Sequence, residues 1–229
     1  MAFRKKADDI LALNPDIIVI PESEHPDKID FGLHIRKPNQ VFWCGDNYNK
    51  GLLVASYNSS LNLTEIPHHS SGTYILPISV QSKNDIYNIF AIWAQKGRTT
   101  FDSYVVQASR AIKNLEKHLD GETIIIGDFN SNACWDNGDK KEITHTQLVT
   151  YFEQKNIFSG YHYLQNERHG YETKPTLYMY RKIDRPYHVD YAFMSKGLLG
   201  RLDLISIGEY EKWSDKSDHM PLILEFNQF

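Results

Sequence analysis

At 229 residues and 26.6 kDa, with 41% hydrophobic and 13% aromatic residues, the chain has ample material for a buried core, which excludes a disordered protein. Its formal net charge of −4 argues against a broad, sequence-independent nucleic-acid surface, because such surfaces neutralise many phosphates. Two cysteines, Cys44 and Cys134, and an N-terminus charged at Arg4, Lys5, Lys6, Asp8 and Asp9 exclude a disulfide scaffold and a signal peptide, so a soluble, cytoplasmic protein with reduced thiols is expected.

The first predicted element is a helix over Ala2–Leu13, with Phe3, Ala7, Ile10 and Leu11 on one face and Asn14-Pro15 as its stop. Asp16-Ile-Ile-Val-Ile20 then reads as a strand buried on both faces, closed by Pro21-Glu22. Glu22 is thus a carboxylate directly past a buried strand, a candidate ligand that by itself also fits an ordinary exposed junction residue. Ser23–Gln40 is polar and turn-rich, a surface loop. Strand-like runs follow at Val41–Trp43, Gly51–Tyr57, Leu61–Ile66, Tyr74–Val80 and Ile86–Trp93, separated by turns at Asp46-Asn47, Asn58-Ser59-Ser60 and Lys83-Asn84-Asp85. This succession predicts a largely antiparallel sheet. His68 and His69 are neighbours and point apart on extended chain, so solvated loop histidines are expected rather than a metal pair.

Thr99–Leu119 carries an apolar stripe (Val105, Ala108, Ile112, Leu115, Leu119) and reads as a helix stopped by Asp120-Gly121. Strand Thr123–Gly127 begins at once, so Ile86–Trp93, this helix and Thr123–Gly127 make a crossover between parallel strands. Asp128 then lies at a strand's C-terminal edge, where open α/β sheets commonly hold ligands. Asp128 and Asn130, two apart, share one face, while Phe129 turns into packing. A carboxylate beside an amide suits metal-assisted attack on a phosphate ester, one group to hold or activate water and one to orient oxygen. An Asx-type turn uses the same two residues equally well.

Asn132–Ile143 is a loop, and Thr144 with Gln147 forms a capping box for a helix to about Lys155. Tyr161–Lys174 is read as loop, Thr176–Tyr180 and His188–Met194 as strands, and Leu202–Ile207 and Pro221–Phe226 complete the set in one domain over residues 1–229. Arg181, Lys182 and Arg185, with Tyr178, Tyr180, Tyr187 and Tyr191, form a candidate rim that grips phosphate and stacks bases, although tyrosines alternating along a strand also fit sheet packing. Asp190 sits inside an apolar strand and must be paired to offset its desolvation. Ser217-Asp218-His219, just before the last strand, offers the partner. A histidine held by an aspartate has its pKa raised and can donate to a phosphoryl oxygen or act as an acid or base. Glu22 and Asp218 are hard oxygen donors suited to Mg²⁺ or Mn²⁺.

Pro15-Asp-Ile-Ile-Val-Ile-Pro-Glu22, Gly127-Asp-Phe-Asn130, Val189-Asp-Tyr191 and Ser217-Asp-His219 together resemble the ordered signature of the endonuclease/exonuclease/phosphatase (DNase I-like) superfamily over about Pro15–Phe226. The resemblance implies a four-layer α/β/β/α sandwich of two packed mixed sheets flanked by helices, and metal-dependent hydrolysis of phosphate esters. It implies Glu22 as metal-binding glutamate and Asp218 as a second metal-site carboxylate. Asp128 would position or deprotonate the attacking water, Asn130 would orient phosphate or metal, and Asp190 with His219 would form the charge-stabilising dyad. Two positions depart from the pattern. The sequence begins in the helix that normally follows a first strand ending Trp-Asn-x-Asn, and Trp93 stands where many relatives carry His or Tyr. The resulting expectation is a Mg²⁺- or Mn²⁺-dependent phosphodiesterase or nuclease, monomeric, acting on a phosphate ester such as DNA or RNA, with Tyr178 and Asn130 on the substrate and no protein partner. The alternatives are a phosphomonoesterase or lipid-type phosphodiesterase on a small substrate, or a non-catalytic binding module of the same fold.

Overall fold

Alternation along one strand organises the layers. In Lys50–Ser56, Leu52 and Val54 face one apolar cluster while Leu53 and Ala55 face another, and all four are fully buried. The computed structural model describes residues 2–68, 74–97, 99, 102, 104–138 and 142–227. Strands β1 (Ile17–Ser23), β2 (Gln40–Asn47) and β3 (Lys50–Ser56) form an antiparallel sheet in the order β1-β3-β2. Helix α1 (Ala7–Leu11) and Phe3 cover its outer face against Ile18, Ile20 and Leu53.

The second sheet contains β4 (Asn62–Glu65), β5 (Tyr74–Gln81), β6 (Ile86–Trp93), β7 (Thr123–Asp128) and β8 (Ile157–Ser159). After the two-residue strands β9 (Leu177–Tyr178) and β10 (Pro186–Tyr187) it also takes in β11 (Asp190–Ser195), in the order β4-β5-β6-β7-β11-β8. β7 runs parallel to β6 and antiparallel to β11, so the sheet is mixed. Its inner face (Ile78, Ala91, Ala192, Met194) packs on β3, and its outer face (Phe90, Ile125, Phe193) packs under α2 (Val105–Asn114) and α3 (His145–Gln154). The order is helix, sheet, sheet, helix, as the family resemblance implies. The parallel β6–α2–β7 crossover and the Thr144/Gln147 capping box are both present.

Several local expectations give way to tertiary contacts. The helix expected over Ala2–Leu13 is a 3₁₀ turn at Phe3–Lys5 followed by α1, broken at Lys6 with φ −131°. The buried Glu24 carboxylate accepts the Phe3 and Arg4 N–H groups (2.6 and 3.2 Å) and pairs with the Arg4 guanidinium at 2.9 Å, which holds this turn against the end of β1. The segment read as loop from Tyr161 contains α4 (Gly160–Gln165), too short to show a helical period. α5 (Lys196–Leu199) and α6 (Tyr210–Trp213) escaped notice for the same reason. Only Leu177–Tyr178 of Thr176–Tyr180 is strand, because Tyr180 and Arg181 turn left-handed, with φ 58° and 57°. His69 lies outside the described residues, while the His68 ring nitrogen Nδ1 meets the Ile66 carbonyl at 3.2 Å.

β12 (Leu202–Ile207) and β13 (Leu222–Phe226) pair only with each other, and β1 pairs only with β3 among the described residues. The β12–β13 ribbon is therefore separate from the β1 sheet, although residues of both join the cluster on the inner face of the six-stranded sheet. No helix among the described residues is long and apolar enough to cross a membrane.

Candidate active site

Gly127 decides how β7 ends. Its φ of +141° and its close approach to β6 exclude a side chain, since a Cβ there would collide with the Ile92 carbonyl oxygen. The strand then turns Asp128 into the interior, 3% exposed, opposite Asp190 in the antiparallel register of β7 with β11. The two carboxylates face the same pocket because paired residues on adjacent strands project to the same side. Phe129 turns the other way, edge-on to Tyr191 and Phe193.

His219 arrives from the far end of the chain. The backbone bridges Leu177↔His219 and Met220 N–H to Thr176 O (2.7 Å) lay its segment beside β9. Its Nδ1 lies 2.8 Å from Asp190 Oδ2. Asp128, Asp190 and His219 bring their donor atoms within 4.8 Å of one another. Burial by itself would push the His219 imidazole down, but Asp190, then Asp128 and Asp218, hold it up, to about 10. His219 is therefore an imidazolium at neutral pH. Burial, then the Asp190 carboxylate, pushes Asp128 well above the ordinary carboxylate range, with His219 opposing.

Asn130 does not simply stand beside Asp128. Its N–H donates to Asp128 Oδ1 (2.8 Å), and its amide nitrogen donates to Asp128 Oδ2 (2.6 Å) and to Ala94 O (3.1 Å). The Asx-turn reading and the polar-site reading are thus the same geometry: the turn, left-handed at Asn130 with φ 46°, fixes the carboxylate.

Glu22, also left-handed with φ 61°, sits at the irregularity between Pro21 and Ser23 and meets the Lys50 ammonium at 2.8 Å. Burial opposes ionisation of Glu22, yet Lys50 holds its carboxyl below the ordinary range. Lys50 in turn lies 5.0 Å from the ring centroid of Trp93, which is buried and stacked on Tyr74 at 5.1 Å, so Trp93 packs rather than offering a free face. Lys6 is a further cation of this region. Burial pushes its ammonium down, while Glu22, Asp218, Asp190 and Glu24 act to raise it. Asp218 is half-buried, and its backbone carbonyl accepts the Tyr178 N–H at 2.8 Å, which ties Tyr178 to the pocket's edge. Tyr178 packs on Tyr210, Tyr187 on Trp135, and Tyr191 is 1% exposed, so Tyr191 belongs to the core and not to a substrate rim.

Thr176, in the sequence only the start of a strand, is a support of the site. Fully buried, its hydroxyl oxygen accepts the Val189 and Asp190 N–H groups, both at 3.0 Å, while its carbonyl takes the Met220 N–H. It locks the Asp190 strand to the His219 segment. Lys50, Lys6 and Thr176 carry no motif, and only proximity in space reveals them.

Asp128 and Asp190 supply hard oxygens beside His219, while Glu22 and Asp218 stand outside that close group and act on it through their charge. That chemistry fits a small divalent cation.

No family model matches the chain, and no curated protein matches it. Solved structures do. The endonuclease domain of TRAS1, a telomere-specific non-LTR retrotransposon, superposes with a TM-score of 0.69 at 14% identity over 99% of this chain and 95% of that one. An AP endonuclease from Archaeoglobus fulgidus gives 0.71 at 16% identity over 99% and 96%. The 3'-5' exonuclease NExo from Neisseria meningitidis gives 0.69 at 15% identity over 99% and 96%. These likenesses, spanning nearly the whole of each chain, show that this protein has the DNase I-like fold.

Proposed function

We propose that this chain, acting as one domain over residues 1–229, is a divalent-metal-dependent phosphoric ester hydrolase, and within that class a phosphodiesterase of the nuclease kind. The observation that carries the reading is the buried Asp128 carboxyl facing the Asp190–His219 ion pair at one sheet edge. The neighbours of like fold include enzymes that cleave or trim nucleic acids by name, which supports the same chemistry here.

In this reading Asp128 accepts a proton from the attacking water. Burial and the Asp190 charge favour the protonated carboxyl, so this role needs the carboxylate form, which a bound cation would favour. Asn130 holds that carboxylate in one orientation, and a role toward the phosphate requires its amide to turn outward. The His219 imidazolium, kept charged by Asp190, donates to a phosphoryl oxygen as negative charge develops there. Mg²⁺ or Mn²⁺, held by Glu22 and Asp218, would supply Lewis acidity toward the same phosphate. Lys50 competes with that ion for Glu22. Tyr178, at the pocket edge, contributes a ring to the substrate side.

A panel of bis-p-nitrophenyl phosphate, p-nitrophenyl phosphate, and single- and double-stranded DNA, each with Mg²⁺ and with EDTA, tests the reading. Diester or DNA cleavage lost in EDTA supports it. Cleavage of the monoester alone moves the protein to the phosphomonoesterases, and no cleavage of any substrate by folded protein leaves a binding module.

A further inference from the structure

We propose that His162, His169 and Glu172 form a second metal site, for one ion of the zinc class, on the helical side of the six-stranded sheet. Their donor atoms all lie within 4.8 Å of one another. His162 comes from α4, and His169 and Glu172 come from the following loop. The rings of His162 and His169 stack with centroids 3.5 Å apart. The side chains of His162 and Glu172 are 8% and 4% exposed, so these polar groups have been taken from water and need partners.

A second, independent observation points to a ligand here. Three buried imidazole nitrogens in this one cluster have no hydrogen-bond partner: His169 Nδ1, His145 Nε2 and His188 Nε2. His145 and His188 are 1% and 4% exposed, and their rings lie 5.4 Å from His169 and 5.9 Å from His162. His188 Nδ1 lies 2.7 Å from the Lys174 carbonyl, which can only accept, so Nδ1 carries the proton and the orphaned Nε2 carries a lone pair. Buried polar atoms are seldom left unpaired, and unpartnered imidazole nitrogens beside one carboxylate are what a cation would satisfy.

The surrounding groups suit that exchange. His162 Nε2 lies 3.0 Å from Glu172 Oε1, a contact that a shared metal ion replaces. The Ser159 hydroxyl, 2.7 Å from His162 Nδ1, can accept a hydrogen bond from the Nδ1–H that metal binding at Nε2 requires. Glu172 is oriented by the Gly170 N–H (2.9 Å) and by the Asn132 amide (3.0 Å). A cavity of about 360 Å³ reaches His162 and His169 past Arg168 and Glu153, which gives an ion a way in. Two imidazoles and a carboxylate are borderline donors that favour zinc over Mg²⁺, with the remaining position open to water or an orphaned imidazole.

The inference is independent of the phosphoryl chemistry. Chelator-stripped protein is titrated with Zn²⁺ alone against a chromophoric chelator, and with Co²⁺ alone for visible absorption. We expect one tight equivalent of Zn²⁺, tetrahedral-type Co²⁺ bands, and a rise in melting temperature with Zn²⁺. His169→Ala, at a half-buried residue held by ring stacking, and Glu172→Gln should each weaken Zn²⁺ binding at least ~100-fold. Their metal-free melting curves check that they fold. The double variant Asp190→Asn/His219→Ala should keep the tight equivalent. Failure of the folded wild-type protein to bind a stoichiometric ion overturns the proposal. So does binding that survives both cluster substitutions, or that disappears in the double variant.

Discussion

Two histidine environments stand back to back on one strand. Asp190 and Tyr191 are neighbours on β11, so their side chains leave opposite faces of the sheet. On the Asp190 side, His219 is held up to about 10. On the Tyr191 side, burial pushes His145 down to about 4, His169 to about 2, and His188 below its ordinary value. The sequence offers the same residue type on both sides; His145 and His188 are buried, His169 and His219 half-buried. What separates them is where the carboxylates are committed. Asp190 lies in contact with His219, with Asp128 and Asp218 nearby. On the other side stands Glu172, which burial pushes upward but which hydrogen bonds from His162, Asn132 and Gly170 hold down to about 2. One oxygen meets His162 and the other Asn132, and its charge does not offset the burial of the remaining imidazoles. Burial makes a histidine neutral; a carboxylate at hydrogen-bond distance reverses the sign.

The contrast breaks first by removing the charged side. His219→Ala and Asp128→Asn should each lower turnover on a cleaved diester by at least ~10²-fold. Steady-state rates with saturating Mg²⁺ check this, and near-normal turnover in either variant removes that residue from the mechanism. Next, Asp190→Asn takes away the partner while leaving the burial. The His219 imidazole should then fall from about 10 to below the ordinary ~6.5, joining the neutral class. Imidazole proton shifts followed by NMR against pH read this directly, and a value still above 7 would show that Asp128 and Asp218 suffice.

The neutral side sharpens the comparison through stability. Because the folded pKa of His145 lies below its unfolded value, the unfolded chain binds the extra proton. The stabilisation is complete above pH ~6.5 and drains away as the pH falls toward 4, at up to about 1.4 kcal/mol per pH unit for this histidine. Urea melts in EDTA between pH 7 and 4 measure it, and His145→Gln should flatten the slope.

Smaller effects test the supports. Thr176→Val removes the acceptor for two buried N–H groups and should cost about 1–3 kcal/mol, with turnover falling as Asp190 loses its register with His219. Circular-dichroism melts paired with rates distinguish this from simple unfolding, since the folded variant at low temperature should still be slow. Lys50→Met, the mildest change, removes the ammonium that pairs with Glu22 and should lower the Mg²⁺ concentration for half-maximal rate by a few-fold. A metal titration showing an unchanged or raised requirement would mean that Lys50 helps rather than competes.

Much of this was readable along the chain. The triple isoleucine of β7 and the apolar run of β1 announced strands buried on both faces; β7 lies inside its sheet, whereas β1 is at the edge of its own among the described residues, with Ile18 and Ile20 buried and Ile17 and Val19 half-buried. The crossover through α2 followed from a stripe at helical spacing. Asp128, Asp190 and His219 could be nominated because each is a polar group at the edge of, or within, an apolar run, where an unpaired charge is costly. Short elements such as α4 were not readable, since a single helical turn shows no period.

What the sequence determined by itself is local: period, capping, and the few places where a carboxylate interrupts a buried strand. Those depend on neighbours within a turn or two of chain, and they are written into the residues. The charge carried by each histidine was decided only by tertiary structure. So were the capture of Glu22 by Lys50, the Thr176 clamp, and the gathering of His145, His162, His169 and His188 around Tyr191. Electrostatic fate depends on distances of a few ångströms between groups far apart in sequence, and folding alone sets those distances.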